Sequence, residues 1–177
     1  MKTTKYLFAS IAAALALTLA ARADDVSAKI TDTHICCGSC VKAVAKIIAT
    51  VPGVTGSADE DDSSISLSAP DTATVQKAVD ALVTAGFYGK SSNPDIKIVS
   101  DTGATGAKVQ TLKIENAHVC CGKCVKAIND ALGDVPGVTG NTVTKGASTF
   151  TVTGNFTDKD VTDALQKIGL TGKIAKD

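Results

Sequence analysis

Apolar positions along the chain change period in a fixed order, and the order occurs twice. Val109, Leu112 and Ile114 stand among polar residues between 108 and 119, as expected of an extended segment, and residues 26–35 supply the counterpart. From 39 to 50 the period lengthens. Val41, Val44, Ile47 and Ile48 fall on one helical face while Lys42 and Lys46 fall on the other. Pro52-Gly53 ends that helix, and two short strands follow at 54–58 and 64–69, joined by Asp59-Glu60-Asp61-Asp62. This acidic run lacks the central glycine and distal glutamate of a calcium loop and reads as a solvated hairpin turn. Asp71 or Thr72 then caps a second helix whose apolar face is Val75, Ala78, Val79 and Leu82 and which stops at Gly86. A last strand is predicted at 96–99, with Ile174 playing that part near the chain end.

The repetition is literal at two places. His34-Ile35-Cys36-Cys37-Gly38-Ser39-Cys40-Val41-Lys42-Ala43 returns as His118-Val119-Cys120-Cys121-Gly122-Lys123-Cys124-Val125-Lys126-Ala127, an offset of 84 (118 minus 34), and Val51-Pro52-Gly53-Val54-Thr55-Gly56 returns at the same offset as Val135 to Gly140. Strand, helix, strand, strand, helix, strand is the ferredoxin-like order. The sequence therefore predicts an α+β chain of two tandem ferredoxin-like βαββαβ domains, each an antiparallel sheet with two helices on one face. The domains are expected at 24–99 and 109–177, joined by a flexible Ser-Asp-Thr-Gly-Ala-Thr-Gly-Ala-Lys linker at 100–108.

Composition adds constraints. Lysine and arginine total 18, as do aspartate and glutamate, so there is no net field to attract nucleic acid. Aromatics are 3% and Trp is absent, which leaves the core to Val, Ile, Leu and Ala. The opening Met-Lys-Thr-Thr-Lys, the apolar run 6–20 and the Ala21-Arg22-Ala23 site have the three parts of a secretory signal peptide covering 1–23. The run is shorter than the roughly 20 residues a membrane span needs, and a retained anchor is the competing interpretation. Cleavage would give an exported protein, periplasmic or secreted, with no stable membrane insertion.

An exported chain with six cysteines ordinarily implies disulfides, but these come as two clusters of three. In each, a Cys-x-x-Cys pair (Cys37 and Cys40, Cys121 and Cys124) spans the junction of a strand and a helix, so two sulfurs converge on one ion. The helix amino end favours the thiolate, which is the metal-binding form, and soft thiolates select Cu(I) or zinc over magnesium or calcium. The preceding Cys36 and Cys120 are further ligands, spare thiols or halves of a disulfide. His34 and His118 are ligands, supporting groups or simply exposed; with Cys36 and Cys120 they would raise the donor count to the four of a closed Cys₃His zinc site. His34 and Cys36 point the same way along an extended backbone, and Cys37 points elsewhere unless the chain turns there. The two loops are expected to act independently, with a shared ion the alternative.

These loops and the Val-Pro-Gly-Val turns resemble the heavy-metal-associated domain of copper chaperones and of the amino-terminal arms of heavy-metal P-type ATPases, whose usual motif is GMTCxxC. The resemblance covers both repeats nearly end to end. It implies a ferredoxin-like fold, Cu(I) as ligand with Zn(II) as the alternative, and transfer to a metal-transporting or metal-accepting protein by thiolate exchange. Ile35 and Val119 stand where that family has Met and are expected to anchor the loop by packing; Cys36, Cys120, His34 and His118 are departures. Lys42 and Lys126 are expected on a solvated face, and Phe87 and Tyr88 either near the loop or in the core. The chain has no GxSxG, P-loop or GxGxxG and is expected to be a non-enzyme. The alternative is a thiol-disulfide redox protein using its CGSC and CGKC pairs.

Overall fold

The computed structural model describes residues 25–176; the leader expected at 1–23 lies outside them. Among the described residues no helix is long and apolar enough to cross a membrane.

Each repeat folds as the periodicity requires. In the first, β1 (Val26–Thr31), α1 (Gly38–Ile48), β2 (Thr55–Asp59), β3 (Ser64–Ala69), α2 (Thr72–Thr84) and β4 (Lys90–Ser91) form an antiparallel sheet in the order β2-β3-β1-β4. In the second, β5 (Lys108–Glu115), α3 (Gly122–Gly133), β6 (Val138–Asn141), β7 (Phe150–Thr157), α4 (Asp158–Lys167) and β8 (Lys173–Ile174) repeat it as β6-β7-β5-β8. The fold is α+β, two ferredoxin-like units of four antiparallel strands and two helices each. Alternate sheet residues Ala28, Ile30, Ile65, Leu67 and Ala69 face Val44 and Ile48 of α1 and Val75, Ala78, Val79 and Leu82 of α2 in one buried cluster. The Asp71 carboxylate accepts the Thr74 backbone N–H at 2.8 Å and caps α2. In the second repeat Leu112, Ile114, Phe150, Val152, Ile128, Val161 and Leu165 do the same work.

Three departures from the sequence reading have local causes. The first strands do not reach residues 35 and 119. They end at Thr31 and Glu115 because Asp32 (φ 55°) and Asn116 (φ 58°) adopt the left-handed conformation that Asp and Asn tolerate best, which turns the chain toward the cysteine loops. The edge strand of the first sheet is Lys90–Ser91, not 96–99. The Gln76 side chain takes the Lys97 backbone out of strand pairing, accepting its N–H at 2.8 Å and donating to its carbonyl at 2.7 Å, while Ile96 is buried and Val99 exposed. The segment expected to be a flexible linker is fastened to the second unit: the Asp158 carboxylate accepts the Thr105 and Gly106 N–H groups at 2.9 and 2.7 Å, and Thr102 accepts the Ile174 N–H at 2.8 Å.

Candidate metal centre

The turn at Asp32 carries the chain into Thr33-His34-Ile35, and the turn at Asn116 into Ala117-His118-Val119. Hairpin tips hold both segments: the Ser63 carbonyl accepts the Thr33 N–H at 3.3 Å, and the Ser148 carbonyl accepts the Ala117 N–H at 3.0 Å. Ile35 and Val119 are buried as packing anchors. Cys37 and Cys121 then occupy the residue just before α1 and α3, in extended conformation and without a side-chain cap, and Cys40 and Cys124 sit fully buried in the first helical turns. Four thiols thus stand at helix amino ends, where the partial positive charge favours thiolate. Lys42 and Lys126 are exposed as expected.

The two loops do not stand apart. Gly86 and Gly169, each just beyond its repeat's second helix, press against the opposite repeat's loop. The Gly169 carbonyl accepts the N–H groups of His34 and Tyr88 at 3.1 Å each, Gly86 accepts the Thr171 N–H at 2.9 Å, and Phe87 pairs with Leu170 in an antiparallel bridge. Phe87 is buried in the core and also stacks on His118, ring centroids 4.3 Å apart.

This joint brings all six cysteines, as free thiols, into one cluster. Within the first repeat Cys40 Sγ lies 3.7 Å from Cys36 and 3.9 Å from Cys37; within the second, Cys124 lies 3.8 Å from Cys120 and 3.7 Å from Cys121. Between repeats, Cys36 lies 3.5 Å from Cys121 and 3.6 Å from Cys124, while Cys120 lies 4.0 Å from Cys37 and 3.4 Å from Cys40. The arrangement has approximate two-fold symmetry. The expectation of independent loops fails here because contacts between repeats are as short as those within them. The signal was hard to find in sequence, since it lies in two glycines that meet backbone 30 to 137 residues away.

The sulfurs fit a soft metal. A metal–sulfur bond of about 2.3 Å sets sulfur separations of about 3.8 Å around a tetrahedral ion and about 4.0 Å around a trigonal one, close to the 3.4–4.0 Å found. Donor atoms of Cys40, His118, Cys120 and Cys124 lie within 4.8 Å of one another, as do those of His34, Cys36 and Cys124, and of Cys36, Cys37 and Cys121. The Nε2 atoms of His34 and His118 are buried with no hydrogen-bond partner among the described residues, a costly arrangement that ligation would relieve. Burial holds His34 below the usual imidazole range and keeps it neutral, the form that binds metal.

The thiols differ sharply. Burial pushes Cys36 and Cys120 up. The Cys124 thiol beside it draws Cys40 down, and the same pairing, followed by burial, drives Cys124 up. For Cys121 burial acts upward but is outweighed by the Cys124 backbone N–H and neighbouring thiols, so the net direction is down. One proton shared between facing sulfurs is the pattern expected when like charges crowd one site.

Residues 111–173 match the heavy-metal-associated domain. The matched stretch lies within the second repeat and includes its His118–Cys124 loop. Among solved structures the chain is similar to the PacS N-terminal domain from Synechocystis PCC6803, with 26% identity over 38% of this chain and 100% of that one, at a TM-score of 0.35. It is also similar to the N-terminal soluble domains of Bacillus subtilis CopA, with 18% identity over 86% of this chain and 95% of that one, at a TM-score of 0.32.

Proposed function

We propose that the protein is an exported soft-metal carrier that binds, buffers or transfers Cu(I) through the thiolates of its two HxCCGxC loops. Cys36, Cys37, Cys40, Cys120, Cys121 and Cys124 are the ligands, with His34 and His118 available beside them, and the protein is not an enzyme. The observation that carries this reading is the convergence of six free sulfurs at metal-bridging separations beside two unpartnered imidazole nitrogens. Soft thiolates in that number favour Cu(I) over hard cations, and the partial exposure of Cys36, Cys37, Cys120 and Cys121 gives a metal-transporting or metal-accepting protein a route to them.

The donor set Cys40, His118, Cys120 and Cys124 supports a second reading, a closed Cys₃His zinc site. The test is metal content per chain of anaerobically reduced protein offered Cu(I) and Zn(II) in competition, alongside a Cys40→Ser/Cys124→Ser variant. Cu(I) retained by the parent and lost from the variant supports the carrier. Preferential zinc moves the assignment to the closed site, and no metal with rapid disulfide exchange would make the CGSC and CGKC pairs redox centres and overturn both.

A further inference from the structure

Six sulfurs can be divided between two ions in more than one way, and the separations are not equal. We infer that metal ligation is crossed: the extra cysteine of each repeat completes the Cys-x-x-Cys pair of the other. One three-sulfur face is Cys36, Cys121 and Cys124, with edges of 3.5, 3.6 and 3.7 Å. The other is Cys37, Cys40 and Cys120, with edges of 3.9, 4.0 and 3.4 Å. The two share no sulfur, are related by the approximate two-fold, and give each ion three thiolates. The inference rests on the soft-metal reading above.

Backbone geometry explains why the extra cysteine serves the far site. Cys36 and Cys37 are chain neighbours, and Cys37 is extended (φ −171°, ψ 164°), as is Cys121 (φ −149°, ψ 173°). Adjacent side chains of extended backbone leave on opposite sides, so they close one three-sulfur face less readily than residues arriving from two loops. Both crossed triads are closed by three sulfur separations of 4.0 Å or less, two of them between repeats in each case, whereas the adjacent Cys36 and Cys37 are grouped only at the looser limit of 4.8 Å, with Cys121. Each imidazole also reaches a sulfur of the other repeat. His118 lies with Cys40 of the first repeat as well as Cys120 and Cys124 of its own, and His34 with Cys124 of the second repeat as well as Cys36 of its own.

Crossing makes each extra cysteine a ligand in its own right and makes the complete metal site a property of the joined repeats. A lone repeat would offer only its own pair in favourable geometry. Each thiol that binds releases its proton to solvent, so loading a full site displaces up to three.

The full-length chain loaded with ¹¹¹Cd(II), a soft thiolate-seeking probe, tests this directly through cadmium–proton correlation. The expected result is two cadmium resonances, one coupled to the β-protons of Cys36, Cys121 and Cys124 and the other to those of Cys37, Cys40 and Cys120. Two double variants carry the same logic into affinity. Cys36→Ser/Cys121→Ser damages only one crossed site and keeps one ion at parental affinity. Cys36→Ser/Cys37→Ser damages both, and affinity falls by at least about a hundredfold, beyond the roughly 10–100-fold lost when a mere supporting partner is removed. Couplings confined to one repeat per ion, with the two variants exchanging behaviour, would overturn crossed ligation while leaving metal binding intact. A parent chain that takes up no cadmium would overturn both.

Discussion

Gly86→Ala probes the joint on which the shared cluster depends. Gly86 has φ +92°, a conformation that disfavours any side chain, and a Cβ added there would lie 2.4 Å from the His118 backbone nitrogen and 2.6 Å from the Asn116 carbonyl oxygen. The left-handed conformation alone costs a non-glycine residue roughly 1–2 kcal/mol. The steric overlap is with backbone and cannot be relieved by a rotamer change, so the repeats must separate. Separation puts at risk the three backbone hydrogen bonds of the joint, His34 and Tyr88 to Gly169 and Thr171 to Gly86, each contributing about 1 kcal/mol net. The expected destabilisation is about 4–5 kcal/mol. Gly146→Ala is the matched control: it also has positive φ (+84°) but open space around the added Cβ, so it should lose only the 1–2 kcal/mol conformational part. Urea denaturation of the metal-free, reduced protein gives both values, and Gly169→Ala, which would meet the Asp32 carbonyl oxygen and the His34 nitrogen at 2.5 Å each, should behave like Gly86→Ala. Equal losses in Gly86→Ala and Gly146→Ala would mean that the repeats do not meet through these glycines.

Two further outcomes follow from the packing. Asp158 is buried at the start of α4 and holds the 100–107 segment through Thr105 and Gly106; Asp158→Ala should cost roughly 2–3 kcal/mol, since these bonds end on a charged group, and should speed amide exchange at 105 and 106. Burial pushes the Asp158 carboxyl up, but the Thr105 and Gly106 donors outweigh it and hold the group below the ordinary range, so its contribution is complete above the unfolded-state value of about 3.9 and lost as pH falls through the lower folded value; a parent-minus-variant stability difference unchanged from pH 6 to pH 2 would contradict this. Phe87→Ala should cost about 3–5 kcal/mol as a buried aromatic deletion and should shift the His118 ring proton resonances, whereas unchanged His118 signals would show that the stacking across the joint is absent.

Much of the fold is legible because it is local. The switch from period two to period 3.6, the Pro-Gly stops and the Asp71 cap mark the helices within a residue or two of where they lie. What was misjudged depends on side chains that reach across the chain. The apolar run 96–99 looks like a strand until the Gln76 amide occupies the Lys97 backbone, and a Gly/Ser/Thr-rich segment looks like a linker until the buried Asp158 carboxylate claims its N–H groups. The cysteine loops announce their chemistry in sequence, since His34, Cys36, Cys37 and Cys40 and their counterparts are all present in motif form. Their mutual approach is not written in those motifs. It depends on Gly86 and Gly169 tolerating positive φ against foreign backbone, and a glycine in isolation gives no hint of what it touches.

The most direct measurement of the central claim is an anomalous-scattering map, at the copper absorption edge, of crystals of the anaerobically reduced protein loaded with Cu(I). The account predicts copper peaks within the cluster bounded by Cys36, Cys37, Cys40, Cys120, Cys121 and Cys124, between the two repeats. Copper bound only at the outer surface of separated loops, or no copper at the cysteines at all, would contradict it.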